Sequence, residues 1–268
     1  MSPKSADKSR YFLQSLAKGL SVLQAMAEAN QPMTLSHIAR AASTSNATAT
    51  RICYTLGQMG FIDRDEQRRF FITPRILSLG HAAVYSLGWR NVAQHYLERL
   101  SFELKETVNL SVLDGRELVY IARVNTDRIL PFDLQLGSRL PVYCTSMGKA
   151  LMAFSPPELV SEILDQLDFA PLTHRTIKTR GEYMTELEQV RAKGYAINDE
   201  ELSVGLRSVA APILDDQGWS RAAINIAVPT TRYSLARLVE ELAPAALRTT
   251  REIMRALGTG SKQATAVG

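Results

Sequence analysis

Residues 43–72 read STSNATATRICYTLGQMGFIDRDEQRRFFI, and how this stretch folds decides what the chain is. Small polar Ser43, Thr44 and Ser45 make a turn, after which Ala49, Ile52, Cys53 and Leu56 share the buried side of a helix ending near Gly57 or Gly60. The opposite side then shows Ala47, Thr48, Thr50, Arg51 and Tyr54. Short side chains there would let a helix backbone approach base edges, and Arg51 is long enough to reach a guanine or a phosphate. Next come strand-forming Phe61-Ile62-Asp63 and Arg69-Phe70-Phe71-Ile72 around the polar run Arg64–Arg68. Such a hairpin puts Arg64, Arg68 and Arg69 where they could meet flanking phosphates or a minor groove. A three-helix bundle with an ordinary basic surface would carry the same residues.

Upstream, Leu16, Leu20, Leu23 and Ala27 recur at the spacing of one helix face, so a first helix is expected to bury them. After Asn30-Gln31-Pro32, Thr34 stands as N-cap to a short second helix through Leu35, Ile38, Ala39 and Ala42. Three helices, the last two joined by a tight turn and followed by a hairpin, are the order of a winged helix-turn-helix. We place it at 12–73, after a flexible N-terminus, 1–11. Pro74 follows, and RILSLGHAAVYSLGW reads as a linker helix over 74–89 through Ile76, Leu79, Gly80 and Ala83.

From Arg90 the character changes, and an α+β domain is expected over 90–258 before a flexible tail, 259–268. A helix from Val92 to Leu104 leads into VNLSVLDGRELVYIARV, two strands around the hairpin signal Asp114-Gly115. Ser155-Pro156-Pro157-Glu158 reads as N-cap, N1 proline and capping-box glutamate. Thr179 and Glu182 repeat the capping box for a helix ending at Gly194, and further strands turn at Asp215-Asp216-Gln217-Gly218. The last helix, Ser234 to Leu257, should kink at Pro244.

The net charge is +4 over 268 residues, and its distribution matters more than its size. Nine Lys and Arg face five Asp and Glu before residue 74, while the rest of the chain is balanced, as suits a nucleic-acid-binding module joined to a neutral domain. No run of apolar residues approaches the ~20 needed to span a bilayer, and the first ten residues lack the apolar core of a signal peptide, so a cytoplasmic protein without a membrane partner is expected. Cys53 and Cys144 make neither a disulfide framework nor a metal pair.

Enzyme motifs are absent from the sequence. SMGKA resembles the end of a phosphate-binding loop, but Ala150 replaces its Ser/Thr and Tyr143 its first glycine. Histidines 37, 81, 95 and 174 have no metal-ligand spacing, and Asp199-Glu200-Glu201 reads as a solvated acidic loop or a carboxylate pair. No catalytic residue, metal or cofactor is expected. LGSRLPVYCTSMGKALMAF instead runs from a loop into a helix whose first N–H groups, at Ser146, Met147 and Gly148, could hold a small anion. An ordinary cap by Thr145 or Ser146 explains the same pattern.

The blocks SLAKGLSVLQA, RRFFITPRILSLGHA, VNLSVLDGRELVYIARV, GSRLPVYCTSMGKALMA and DEELSVGLRSVAAPI, in this order from Phe12 to Leu257, resemble the IclR family of bacterial transcriptional regulators. The wording of GSRLPVYCTSMGKAL and PRILSLGHA is most similar to Pca/Pob-type members, which control aromatic-acid breakdown through the β-ketoadipate pathway. The resemblance implies a winged helix reading a double-stranded operator, a linker helix and a GAF-like effector domain for a small organic acid. It also implies homodimers paired through the DNA-binding domains, often assembled into tetramers, with RNA polymerase as a further partner such a regulator could contact. Ala47, Thr48, Thr50 and Arg51 match the family's recognition helix. The backbone at Ser146 and Met147, with Asp199, Ser208 and Asn225, matches its effector pocket, and Tyr143 could stack on a ring. Some relatives carry cysteine in place of Ser208 and serine in place of Asn225, so their glyoxylate-type or pyruvate-type effector is not carried over. A small-molecule enzyme with an N-terminal assembly module and a non-specific nucleoid binder are the other classes to test.

Overall fold

The structure is a computed structural model that describes residues 11–85, 88–125 and 134–258. The expected flexible ends therefore lie outside the described residues, save Tyr11. The chain divides into two compact units, Met1–Ser86 and Leu87–Gly268.

In the first unit α1 (Gln14–Ala29), α2 (Leu35–Ala41) and α3 (Asn46–Gln58) precede a hairpin of β1 (Ile62–Arg64) and β2 (Phe70–Ile72). The caps follow from side-chain chemistry: Thr34 accepts the His37 N–H and starts α2, and Ser45 accepts the Thr48 N–H and starts α3. Met33 exchanges backbone hydrogen bonds of 2.8 and 2.7 Å with Phe70, an isolated bridge that ties the segment before α2 to the hairpin. Val22, Met26, Ile38, Cys53, Leu56, Ile62 and Phe70 form the core. The expected face of α1 is corrected. Val22, Ala25 and Met26 are its buried residues, whereas Leu16 and Leu20 are 59% and 54% exposed, because the rest of this small unit packs only one side of the helix. α4 (Ile76–Tyr85) ends the unit; Ser86 and Leu87, within the expected linker helix, lie outside the described residues.

The second unit is a six-stranded antiparallel sheet, ordered β5-β4-β3-β8-β7-β6, with helices on both faces. Its strands are β3 (Thr107–Asp114), β4 (Glu117–Val124), β5 (Arg139–Pro141), β6 (Ala196–Asp199), β7 (Leu206–Leu214) and β8 (Ser220–Pro229). The β3–β4 turn has Gly115 at φ +60°, the left-handed first loop position that glycine suits. α5 (Gly88–Leu104) and the C-terminal helix cover one face, and α6 (Ser146–Ala153), α7 (Pro157–Leu164) and α8 (Arg180–Lys193) pack on the other. α5 starts four residues before the expected Val92, with Trp89 packed on the core.

One local expectation changes. Ser155 does not cap α7: its hydroxyl turns back to the Leu151 carbonyl at 2.9 Å, and Pro156 takes the N-cap position without a side-chain bond. The last helix continues past Pro244, as expected. A π-turn at Leu238–Leu242 precedes it, so α9 (Leu235–Arg237) continues through that turn into α10 (Ala243–Ala256). Widening the ladder by one residue accommodates a ring that can neither donate an N–H nor tolerate the carbonyl four residues back. Each unit holds one buried cysteine, Cys53 in the first and Cys144 in the second. Burial raises both thiols above their usual pKa, Cys144 to about 12 with nearby Glu201 adding to the effect. No helix among the described residues is long and apolar enough to cross a membrane.

Candidate nucleic-acid interface and ligand cavity

On α3, Ala49, Cys53 and Leu56 face the core and Ile52 is half-buried. Ala47, Thr50, Arg51 and Tyr54 are exposed together on the far side, Tyr54 at 68%. Thr48 is set apart: its N–H and hydroxyl both engage Ser45, which makes it part of the cap. Thr50 turns its hydroxyl to the Asn46 carbonyl at 2.8 Å and so presents its methyl group outward. Gln58 is exposed on the same face one turn beyond Tyr54; the sequence reading omitted it because it lies at the helix end.

The three wing arginines differ. Arg64 lies over the Phe70 ring, 4.4 Å from its centroid. Arg69 donates its Nε to Asp65 at 2.8 Å, so it holds the loop closed rather than standing ready for a phosphate. Partial desolvation pushes the Asp65 carboxyl up, but hydrogen bonds from Arg69 and Gln67 outweigh it and hold its pKa below the usual value. Arg68 is at the tip, exposed, with φ +60°. Among the described residues neither Arg51 nor Arg68 has a carboxylate partner.

In the second unit a narrow cavity of about 20 Å³ opens between the sheet and the start of α6, room for about one water-sized group. Strand alternation builds its polar wall. Asn109 of β3, Asn225 of β8, Ser208 of β7 and Asn198 of β6 line it with Tyr120 and Arg123 of β4. Leu134, Leu202, Leu206 and Ala227 add apolar surface. Ser146 and Ser208 hydroxyls meet at 2.6 Å, and Ser111 donates to the Met147 sulfur at 3.2 Å, which fixes the first turn of α6 to the sheet. Burial raises the Tyr120 phenol above its usual pKa, so it stays protonated. The Asn198 Oδ1 accepts the Glu201 N–H at 2.9 Å, which leaves its NH₂ as a donor at the wall.

Three of the expected pocket residues are placed otherwise. The Gly148 N–H is taken by Thr145 Oγ1 at 3.2 Å, leaving Ser146 and Met147 as the first N–H groups without a carbonyl inside the helix. What Gly148 supplies is space, since a Cβ there would lie 2.3 Å from the Val142 carbonyl oxygen. Tyr143 packs edge-on against Phe169 and donates its hydroxyl to Ala170 at 2.8 Å, away from the cavity. Asp199 alternates to the other side of β6 from Asn198 and pairs with Arg175 and Arg207.

The acidic run is neither solvated nor a carboxylate pair. Asp199 and Glu200 pair with Arg175, and Glu201 is buried with Lys149 of α6, whose Nζ lies 2.6 Å from Glu201 and 3.0 Å from Glu186. Desolvation raises the Glu201 pKa although Lys149 opposes it. The lysine of SMGKA is thus an internal counter-charge. Among the described residues no cluster of His, Cys, Asp or Glu could hold a metal.

An exposed helix face beside a wing, on a unit separate from a sheet domain with a polar cavity, defines a regulator that reads DNA and senses a small molecule. Comparison with known proteins gives the family: the IclR helix-turn-helix domain matches residues 15–66 and the C-terminal domain of bacterial IclR transcriptional regulators matches residues 81–255. The chain belongs to the IclR family and is a transcriptional regulator rather than an enzyme. It is similar to the Pca regulon regulatory protein of Pseudomonas putida, 36% identical over 92% of this chain and 84% of that one. The p-hydroxybenzoate hydroxylase transcriptional activator of Acinetobacter baylyi is 31% identical over 90% of this chain and 91% of its own. A solved transcriptional regulator of Rhodococcus sp. RHA1 superposes with a TM-score of 0.79 at 42% identity, covering 92% of this chain and 99% of that one.

Proposed function

We propose that the protein works in the cytoplasm as a homodimer, or a dimer of dimers, on a near-palindromic operator, and that an aromatic acid or a β-ketoadipate pathway intermediate controls it. The observation that carries the DNA reading is the exposed set Ala47, Thr50, Arg51 and Tyr54 on α3, with Arg68 at the tip of the adjoining hairpin. Two such helices about 34 Å apart would enter successive major grooves, with the wings on flanking phosphates. Domain limits of 12–73, 74–89 and 90–258 go with this assignment.

A second copy of the chain is the partner we assign to the open face of α1. Leu16, Leu20 and Leu23, with Met59, Phe61 and Leu79, line a groove of about 550 Å³ in the first unit. Leucines at helical spacing, two of them more than half exposed, suit a two-fold contact in which each helix covers the other.

The identities of the Pca and p-hydroxybenzoate relatives support an effector from aromatic catabolism. Its carboxylate would take the Ser146 and Met147 N–H groups and the Ser208 hydroxyl, with Asn225 as a further contact. A cavity of about 20 Å³ must widen to admit it, so the ligand acts by favouring one conformational state over another. RNA polymerase is a further contact open to the DNA-bound dimer.

Fluorescence anisotropy with DNA from upstream of the protein's own gene, against scrambled DNA, tests the reading at moderate salt. Protocatechuate, 4-hydroxybenzoate and β-ketoadipate are added in turn. Sequence-selective binding that one acid alters is expected; equal affinity for both DNAs under every condition would refute it.

A further inference from the structure

Thr50 lies in the second turn of α3 and offers DNA a methyl group in place of a hydroxyl. Its Oγ1 donates to the Asn46 carbonyl at 2.8 Å, which keeps the polar end against the helix. Thr55 makes the same bond to the Arg51 carbonyl at 2.9 Å, but it lines the groove along α1. On either side of Thr50, Ala47 exposes a second methyl and Tyr54 a ring, at steps of three and four residues that set the three in one row. Arg51 is the one charged side chain between Asn46 and Gln58.

Methyl groups and a ring find no partner in phosphates. Of the groups on base edges in the major groove, the one they fit is the C5 methyl of thymine. Helix rise sets Ala47 and Thr50 about 4.5 Å apart along the axis and Tyr54 about 6 Å further, so the row spans about three base-pair steps of about 3.4 Å. Resting on the assignment of α3 to the major groove, we infer that Thr50 selects thymine in each half-site by covering its C5 methyl, with Ala47 and Tyr54 over the neighbouring steps. Arg51 is then the polar reader beside an apolar row.

The test begins by enriching a preferred site from random duplexes on the full chain. That site is synthesised once with thymine and once with deoxyuridine throughout, which removes the methyls and leaves every hydrogen-bonding group of the bases in place. In anisotropy titrations uracil should weaken wild-type binding about tenfold or more, at about fourfold for each methyl lost and one Thr50 contact in each half-site. Thr50→Ser keeps the hydroxyl and removes only the methyl, so there the uracil-to-thymine ratio of Kd should fall by about fourfold or more. In Thr50→Val the methyl stays and the ratio should persist. Any effect of uracil on the duplex itself is common to the three proteins and cancels. Equal wild-type affinity for the two duplexes overturns the inference and leaves operator selection intact. A smaller fall in Thr50→Ser, or loss of the ratio in Thr50→Val, also overturns it, since the methyl is gone from the first and kept in the second. A pool that yields no preferred sequence refutes the DNA-reading assignment itself, and the inference with it.

Discussion

Replacing Arg68 with glycine should make the DNA-binding unit more stable and a poorer DNA binder. The wing loop has a twin inside the same chain. In Asp65-Glu66-Gln67-Arg68-Arg69, Asp65 Oδ1 accepts the N–H of Gln67 at 3.0 Å and of Arg69 at 2.8 Å. In Asp215-Asp216-Gln217-Gly218-Trp219, Asp215 Oδ1 accepts those of Gln217 at 2.9 Å and Trp219 at 3.0 Å. The backbone bonds closing the two loops also correspond, and the fourth residue is left-handed in both, at φ +60° for Arg68 and +84° for Gly218. The β7–β8 loop uses glycine there and the wing does not. A side chain in that conformation costs about 1–2 kcal/mol, and the freedom glycine gains on unfolding returns about 0.5–1, so Arg68→Gly should stabilise the hairpin by about 0.5–1 kcal/mol. Amide exchange at Phe70 and Ile72 in the full chain should then slow by about two- to fivefold if these amides open with the unit. Operator affinity should fall, and its log–log slope against salt should flatten by about 0.9 per wing, or about 1.8 for a dimer. Unchanged or faster exchange would refute the strain argument; an unchanged salt slope would refute the phosphate contact.

Arg51→Ala should weaken operator binding by about 1–3 kcal/mol in anisotropy titrations while acid binding, followed by calorimetry, stays the same. Equal loss of both would make Arg51 structural. Gly148→Ala should cost about 3 kcal/mol or more in denaturant unfolding, since its methyl would collide with the Val142 backbone. Lys149→Met should cost about 3–5 kcal/mol near neutral pH by stranding the Glu201 carboxylate, whereas Glu201→Gln should cost less because Lys149 keeps Glu186. The folded-state pKa of Glu201 is raised, so the native protein holds that proton more tightly than the unfolded chain. Its contribution is therefore most favourable below the unfolded value of about 4.3 and declines as pH rises through the folded pKa. The deficit of Lys149→Met should shrink as pH is lowered across that window; a deficit independent of pH would show that Glu201 stays ionised.

The elements with local punctuation were readable before folding. Thr34 lies where a side-chain oxygen must accept an N–H, and Asp114-Gly115 and Gly194 lie where the backbone turns left-handed. The face of α1 was misread because periodicity reports that leucines share a side, not which side the rest of the unit covers. The recognition face of α3 followed from its helical period, but the cavity did not follow from any local pattern. Asn109, Tyr120 and Arg123 lie some hundred residues from Ser208 and Asn225 and meet them only through the order β4-β3-β8-β7. One trace was present: in VNLSV, Asn109 and Ser111 alternate with apolar residues, as in a strand with a polar face, and that face here lies beneath α6. Asp199 was expected at the pocket from the family resemblance, whereas alternation along β6 gives the cavity to Asn198.

The two cysteines make the protein its own stopwatch. Each unit has one thiol, sealed in the core and held protonated, so neither can attack an electrophile until its own unit opens. A maleimide added in excess would label Cys53 at the pace of the DNA-binding half and Cys144 at the pace of the half that holds the cavity. Mass spectrometry of the two peptides would read both clocks in one tube. An acid that slows the second while leaving the first untouched, or that moves both, would show how far its influence travels through the chain.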